Sequence, residues 1–319
     1  MKKDGLSLLL AALILAVSCT SAPQNETRKL PDFPVEPVNY WQVKVTDDFW
    51  APRMETNRLV TIPYLFHMNE ESGRVDNFRI AAGLKTGKHT GKRYNDSDVY
   101  KAIEAAAYTL MTNPDPKLKK QIDDLVDLIR QAQEPDGYLF TARTIDPENP
   151  APGAGQERWS NLRVSHELYN LGHLYEAAVA YYQATGEKNL LDLATRSADL
   201  LVKTFGPDKR RAFPGHQEVE IGLVKLYRVT GQEDYLKLAK FFLDERGHYH
   251  GGEVFPESSP FYIYNSEEYL QNHRPVLEQT EAVGHAVRAT YMYSAMLEVA
   301  ALGSWPEYAR ASESLWENV

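Results

Sequence analysis

The sequence is poor in three features, and each scarcity excludes a class of protein. It has one cysteine in 319 residues, Cys19, so neither an internal disulfide nor a cysteine-ligated zinc site can form within it. Its longest apolar run, at 8–17, has about ten residues, whereas a helix that spans a bilayer needs about 20. The net charge is −9 without a basic stripe, so we expect no nucleic acid partner.

The N-terminus has the pattern of a bacterial lipoprotein signal. Two lysines, the apolar run and small residues precede Cys19, which cleavage would leave as the lipidated first residue. Ala16 replaces the usual leucine three positions earlier, and an ordinary signal peptide is the alternative. We predict a signal peptide over 1–19, a flexible tether over 20–37 and a body over 38–319. The protein would then be lipid-anchored in the bacterial envelope, in the periplasm or at the cell surface.

An internal repeat organises the body. The segments AYYQATGEKNLLDLA at 180–194 and KLYRVTGQEDYLKLA at 225–239 are related by an offset of 45 residues. Each segment predicts a helix that ends at a glycine and a second helix after it, because apolar residues recur at helical spacing on both sides of the Thr-Gly pair. Gly186 and Gly231 suit the position after a helix end, and Asn189 and Asp234 are candidate N-caps.

Weaker copies of the hairpin flank this pair. The pattern predicts further helices at 53–68 with an interruption at Pro63, 98–111, 117–133, 279–302 and from 307 onward, and a short β segment at 40–45. About nine helices, mostly in hairpins, indicate an all-α protein of the α/α-toroid kind. A closed ring of six hairpins needs twelve helices, so we expect an (α/α)6 barrel that is incomplete at its C-terminus. A short open solenoid is the alternative.

Three of the nine histidines follow a glycine at similar places in successive hairpins: His173, His216 and His285. In a ring of hairpins the first helices line the interior, so equivalent positions would converge. A neutral imidazole donates one hydrogen bond and accepts another, which suits sugar hydroxyls. We therefore predict one site shared by the three, the alternative being three independent packing or capping residues. The 35 aromatic residues would supply rings for such a cleft or for an ordinary core.

Other histidines give weaker signals. The segment HELYN at 166–170 lacks the second histidine of a zinc-protease motif, although His166 shares a helical face with His173 and would lie near the same cavity. His248 and His250 alternate as on a strand and could chelate a metal. The glycine-flanked loop at 247–252 favours a solvated turn instead, so no metal ligand is predicted there.

Carboxylates next to these segments have both structural and chemical interpretations. The DSD segment at 96–98 precedes a helix, which favours an N-cap role. A role in the site is the alternative, because that end of the helix would face one rim of the ring. Glu218 and Glu220 follow His216 and could offer the two carboxylates that a glycosidase places on either side of the cleaved bond. Sequence does not give the distance between them.

Six segments together resemble glycoside hydrolase family 127, in the order in which that family has them. They are DDFW at 47–50, DSDVYK at 96–101, QEPDGYL at 133–139, ELYNLGHL at 167–174, GHQEVE at 215–220 and EAVGHAVRA at 281–289. The family consists of β-L-arabinofuranosidases with an (α/α)6 catalytic toroid and added β-sandwich domains. The resemblance covers nearly all of the chain from about residue 40, and it does not fix the substrate.

The resemblance implies a glycosidase that removes non-reducing-end β-L-arabinofuranose, or a related sugar, from an arabinose-containing oligosaccharide or polysaccharide. His173, His216 and His285 match histidines that line the family's sugar pocket. The family's nucleophile is a cysteine on a zinc ion held by three cysteines and a glutamate, and a second glutamate is the acid/base. Those residues lie in a Glu-x-Cys segment and a Cys-Cys pair that this sequence lacks. Zinc is thus expected for a full-length family enzyme, and no catalytic residue is expected within this chain.

We therefore expect a fragment of a longer enzyme that folds poorly alone, because an incomplete ring exposes an apolar edge. One alternative is a lipid-anchored protein that binds glycans without cleaving them. Another is a different α/α-toroid sugar enzyme, such as an unsaturated glucuronyl hydrolase or an epimerase, whose chemistry needs no cysteine. The three Gly-His pairs in this order argue against the latter.

Overall fold

The structure, a computed structural model, describes residues 38–248, 250–251 and 253–319. The predicted signal peptide, the tether and Cys19 lie outside the described residues. In the part of the chain that is described, no helix is long and apolar enough to cross a membrane.

Thirteen α-helices, labelled α1 to α13, build the described residues, and no β-strand is present among them. Short 3-10 helices lie at Tyr40–Gln42, Tyr262–Asn265 and Val276–Glu278. The α-helices are Trp50–Thr56, Ile62–Glu71, Arg74–Ala81, Asp96–Thr112, Pro116–Ala132, Thr141–Thr144, Leu162–Ser165, Glu167–Thr185, Asn189–Thr204, Val219–Thr230, Glu233–Glu245, Ala286–Gly303 and Pro306–Asn318.

Four hairpins follow one another along the chain: α4 with α5, α8 with α9, α10 with α11, and α12 with α13. Their first helices α4, α8, α10 and α12 pack side by side in that order. The central helix α8 is apolar nearly all round, because it has neighbours on both sides and buries Leu174, Tyr175 and Ala178 completely. The all-α architecture of repeated hairpins is thus confirmed.

The two repeat copies end their first helices as predicted and begin their second helices differently. Gly186 and Gly231 have φ values of 75° and 72°, and each N–H bonds to the carbonyl four residues earlier. The N-cap predictions are wrong: the cap residues are Lys188 and Gln232. Asn189 is already helical, and its Oδ1 accepts from the next N–H at 2.9 Å.

The predicted β segment at 40–45 is wrong. Residues Tyr40–Gln42 form a 3-10 helix, in which Gln42 N–H bonds to Asn39 O and Val43 N–H to Tyr40 O. Extended backbone needs a neighbouring strand to satisfy its N–H and C=O groups, and the described residues offer none. A local turn satisfies these groups instead.

Two helices also begin at residues other than those predicted. The helix expected at 53–68 begins at Trp50, where the Asp47 side chain accepts hydrogen bonds from two backbone N–H groups. It passes Pro63 without a break, because a π-helical turn at Asn57–Thr61 precedes α2 and leaves the proline in the first turn of α2. The helix expected from 279 begins only at Ala286.

Candidate functional site

The side of α8 that faces the site carries Tyr169, His173 and Glu176, which are four and three residues apart and therefore share one helix face. The ring of Tyr169 meets that of His173 edge-on, with centroids 4.6 Å apart. The hydroxyl of Tyr169 accepts from Lys101 Nζ of α4 at 2.6 Å. The contact between α4 and α8 thus fixes the tyrosine next to the histidine.

The other two predicted histidines meet this face. The ring of His216, in the segment before α10, lies 4.4 Å from that of Tyr169 and 5.8 Å from that of His285, the N-cap of α12. His166 also belongs here, with its ring 5.5 Å from that of His216. We name His166, Tyr169, His173, His216 and His285 the histidine cluster. The structure brings the three predicted histidines together, and their role in binding a sugar stays a prediction.

The glycine of each Gly-His pair lies where another backbone passes. A side chain there would displace that backbone, which explains why glycine precedes all three histidines. An added Cβ would lie 2.6 Å from Glu218 C at Gly172, 2.3 Å from Arg163 O at Gly215 and 2.0 Å from Glu268 O at Gly284. The motif therefore marks close backbone contacts that bring the hairpins, and with them the histidines, together.

Two histidines of the cluster present opposite hydrogen-bonding groups. Nδ1 of His216 lies 2.7 Å from the carbonyl of Gln217, which only accepts, so Nδ1 carries the proton and Nε2 is an acceptor. His285 Nδ1 accepts from Arg288 N–H at 3.4 Å, so its Nε2 carries the proton. One neutral ring thus offers an acceptor and its neighbour a donor.

Burial keeps the inner histidines neutral. It lowers the pKa of His173 to about 4, and together with the nearby charge of Arg288 it lowers the pKa of His216 far below its usual range. The pKa of His166 is also strongly lowered, first by burial and then by Arg93. Neutral imidazoles both donate and accept, whereas charged ones only donate.

The carboxylates named from the sequence have different surroundings. Glu218 is 1% exposed, and its Oε1 lies 3.1 Å from Nδ1 of His173. Glu220 is fully buried against Arg246, 3.8 Å away, and its Oε2 accepts from the backbone of Glu218, so it supports the backbone at the start of α10. These two residues are therefore not a pair flanking one open site.

The DSD segment does not cap α4 through its side chains. Asp96 is buried and accepts from the N–H of Thr141 at 2.9 Å and from its hydroxyl at 2.5 Å. It therefore joins α4 to α6 instead of satisfying N–H groups at the start of α4. Asp98 pairs with Arg74 on α3 at 2.6 Å.

Several residues of the site were not predicted from the sequence as site residues. One of them, Tyr169, belongs to the histidine cluster, and four others surround it: Lys101, Glu176, Tyr291 and Arg288. The ring centroids of Tyr291 and His216 are 5.9 Å apart. Their spacing offered one clue, because Tyr169 and Glu176 share a helix face with His173. Lys101 reaches Tyr169, and Tyr291 reaches His216, through contacts between hairpins, whereas Arg288 also contacts His285, three residues before it in the same segment.

The residues present do not fit the zinc site expected for a full-length relative. No cysteine lies in the described residues, and Cys19 is the only one in the sequence. Within the part described, one group has metal-ligand geometry: His173, Glu176 and Glu218, with ligand atoms within 4.8 Å of one another. It lacks thiolates, and the Lys225 ammonium already contacts Glu176.

His248 is exposed and His250 pairs with Glu245, so neither joins a metal group.

Known proteins share the sequence and the fold of this chain. A curated protein from Bifidobacterium longum subsp. longum, described as a non-reducing end beta-L-arabinofuranosidase, is 36% identical over 87% of this chain and 46% of its own length. A solved GH127 beta-arabinofuranosidase superposes with a TM-score of 0.82 at 48% identity, over 91% of this chain and 44% of that one.

A second solved structure, the GH127 beta-L-arabinofuranosidase of Geobacillus stearothermophilus T6, gives a TM-score of 0.79 at 43% identity, over 87% of this chain and 45% of that one. The chain thus spans less than half the length of these relatives. Residues 42–319 match the family described as "Beta-L-arabinofuranosidase, GH127 catalytic domain". The chain therefore belongs to the GH127 family of glycoside hydrolases and has its all-α, α/α-toroid type of fold.

Proposed function

We propose that this chain forms the sugar-binding part of a glycosidase that releases β-L-arabinofuranose, or a related sugar, from the non-reducing end of a glycan. The observation that carries the proposal is the convergence of His173, His216 and His285 from three hairpins. The rings of His173 and His216 both contact Tyr169, and the ring of His285 contacts that of His216. Family membership and the names of the relatives support the choice of sugar.

The chemistry of the histidine cluster suits a small polyol. Sugar hydroxyls donate and accept hydrogen bonds, and the opposite polarity of His216 and His285 would fix the direction of each bond. The rings of Tyr169 and Tyr291 offer flat surfaces for the C–H groups of a sugar. These residues bind and orient, and we assign them no nucleophilic or acid/base role. Zinc and the residues that hold it would have to come from a longer chain.

Binding by the chain itself is the first test. Calorimetric titration with methyl β-L-arabinofuranoside should give saturable binding, and the α anomer should bind more weakly because its glycosidic oxygen points elsewhere. Equal binding of the two anomers, or no binding of either, would contradict the proposal. Sequencing the locus beyond codon 319 completes the test, since a continued frame with a Glu-x-Cys segment and a Cys-Cys pair would supply the zinc-bound nucleophile.

A second candidate is a lipid-anchored protein that binds an arabinose-containing glycan without cleaving it. It would need only the histidine cluster, because binding without cleavage requires no zinc-bound cysteine. A stop codon after Val319, together with sugar binding and no hydrolysis, would select this candidate.

We also propose an envelope location through a lipid on Cys19, which is supported by the order of residues before it. Cells expressing the full chain should incorporate labelled palmitate into it, and Cys19→Ala should remove the label and release the protein from the membrane fraction. Equal labelling of both proteins would contradict a lipid on Cys19.

A further inference from the structure

Behind His173 lies a buried pair of carboxyl groups from two neighbouring hairpins. Nδ1 of His173 is 3.1 Å from Oε1 of Glu218 and 3.6 Å from Oε2 of Glu176. His173 is 3% exposed, Glu218 1%, and the side chain of Glu176 13%. In the described part of the chain, neither nitrogen of His173 nor Oε1 of Glu218 has a well-aligned hydrogen-bond partner.

A proton must lie between the histidine and the carboxyl pair. A nitrogen and an oxygen that both present lone pairs would repel at 3.1 Å in a site buried from solvent. Two carboxyl oxygens face the same nitrogen, so the arrangement favours the proton on Nδ1. The opposite nitrogen, Nε2, then keeps its lone pair.

Charges around the pair indicate that it holds one proton rather than a metal ion. Lys225 of α10 contacts Glu176 and lies 3.7 Å from Glu104 of α4, so Glu176 already has a cation beside it. Burial, followed by the neighbouring Glu176, raises the pKa of Glu218 well above its usual value. Burial alone would raise the pKa of Glu176 too, but His173, Glu218 and Lys225 together lower it. Glu218 is therefore the protonated member.

The remaining charged and titratable groups around His173 fit this assignment. Lys101 of α4 and Lys225 oppose a charge on the imidazole, while Tyr169 and Tyr291 pack against its ring. Burial and the charge of Glu176 raise the pKa of Glu104 to about 7. Protonation of Glu104 would leave Lys225 paired with Glu176.

We propose that Glu176 and Glu218 share one proton and act as positioning residues that hold His173 as the Nδ1–H tautomer, with Nε2 left to accept from a hydroxyl group of a ligand. The ligand part of this statement rests on the proposed sugar-binding function, and the tautomer part does not. The pair would do for His173 what backbone carbonyls do for His166 and His216, whose Nδ1 atoms lie 2.8 and 2.7 Å from a carbonyl oxygen.

Infrared difference spectroscopy tests the shared proton directly. The full chain in D2O at neutral pH should show a C=O stretch of protonated carboxylic acids, and Glu218→Gln should remove part of it. The remainder comes from Glu104 and Glu167, whose pKa values are about 7. The matched control is Glu55→Gln, at a surface carboxylate whose pKa Arg58 lowers, and it should leave the acid band unchanged. An unchanged acid band in Glu218→Gln would overturn the proposal, because Glu218 would then be ionised.

Nitrogen-15 NMR of histidine-labelled protein tests the tautomer, with His173→Gln to assign the signal. We expect the Nδ1–H form of His173 in the wild type and in either single variant, Glu176→Gln or Glu218→Gln, because the remaining glutamate still presents a carboxyl oxygen that accepts from Nδ1. The double variant should populate the Nε2–H form. An Nε2–H tautomer in the wild type would overturn the proposal, and thermal melts will identify any variant that fails to fold.

Two further titrations separate the remaining possibilities. Zinc chloride should leave the His173 signals unchanged, and a stoichiometric shift that Glu218→Gln abolishes would show a metal site and overturn the shared proton. Methyl β-L-arabinofuranoside should shift the Nε2 signal of His173. If the tautomer is as proposed but the sugar causes no shift, the proposed function fails while the positioning pair stands.

Discussion

At the scale of single residues, His216 and His285 would set the direction of the hydrogen bonds to a bound sugar, because one ring accepts and the other donates. His216→Ala and His285→Ala should each weaken binding of methyl β-L-arabinofuranoside by about fivefold, because a lost hydrogen bond costs on the order of 1 kcal/mol. Calorimetry measures this loss. The matched control is His248→Ala in an exposed loop, which should bind as the wild type does. Equal losses in all three variants would contradict a specific role.

Glu167 predicts a pH dependence of stability. Burial raises its folded-state pKa to about 7 from 4.5, although Tyr138 and the Trp159 N–H donate to it. Between about pH 4.5 and about pH 7 the folded state therefore holds a proton that the unfolded state has lost. Stability contributed by this group is complete below pH 4.5 and falls as pH rises.

Glu167→Gln should remove this slope, because an amide does not titrate. Over that pH window the free energy of unfolding of the wild type should fall by about 1 kcal/mol per pH unit relative to the variant. Urea unfolding at several pH values measures the difference. Parallel curves for the two proteins would show that Glu167 is ionised when folded.

At the scale of elements, the contact between α8 and α10 depends on glycine. An added Cβ on Gly222 would lie 2.6 Å from the carbonyl oxygen of Gly172, and a backbone atom cannot rotate away. Alanine gains about 1 kcal/mol of helix propensity, but overpacking costs roughly 1–3 kcal/mol, so we expect Gly222→Ala to be destabilising. It should also weaken sugar binding, because α8 carries His173 and α10 follows His216.

Gly83→Ala is the control for that substitution. No atom lies within 4 Å of an added Cβ there, and the cost is the strain of a φ of 72° alone, about 1 kcal/mol. Thermal melts and calorimetry should show a loss of stability with unchanged binding. If Gly222→Ala binds sugar as well as Gly83→Ala does, the helix contact does not position the site.

The hairpins were predictable because their signals are local. Helical spacing of apolar residues and glycine at Gly186 and Gly231 depend only on nearby backbone, and both predictions were confirmed. The β segment at 40–45 was not predictable, because pairing depends on whether another strand lies alongside. The start of α12 was misplaced, because 279–285 has helical spacing but packs as a loop that ends with His285 as the N-cap.

Of the residues in the site, only the histidines that recur with the hairpin repeat were predictable from the sequence. His173, His216 and His285 stood out because each follows a glycine at a similar place in a hairpin. Glu176 lies on the same face of α8 as His173, but an acidic residue on a helix is usually solvated, and its contacts with Lys225 and Glu218 come from another hairpin. Lys101 contacts Tyr169 from another hairpin, and Nε of Arg288 donates to the carbonyl of Gly215 in another hairpin. No spacing within one segment indicates either contact.

At the scale of the whole molecule, two apolar faces remain open in the described structure. On α12 and α13, Leu297 and Trp316 are 42% and 78% exposed, and on the segment before and within α2, Val60 and Tyr64 are 60% and 59% exposed. Monomeric proteins rarely expose large contiguous apolar patches. We therefore expect the isolated chain to self-associate and to bind a hydrophobic dye.

The double variant Leu297→Lys, Trp316→Lys should reduce both effects, because two charges on one face oppose its burial against another copy. Light scattering after size exclusion and dye fluorescence measure the change. Val254→Lys is the matched control, since Val254 is 80% exposed and lies outside both faces. A compact monomer with a sharp two-state melt in the unsubstituted chain would contradict the prediction, because it would mean that the hairpins bury enough apolar surface without covering these faces.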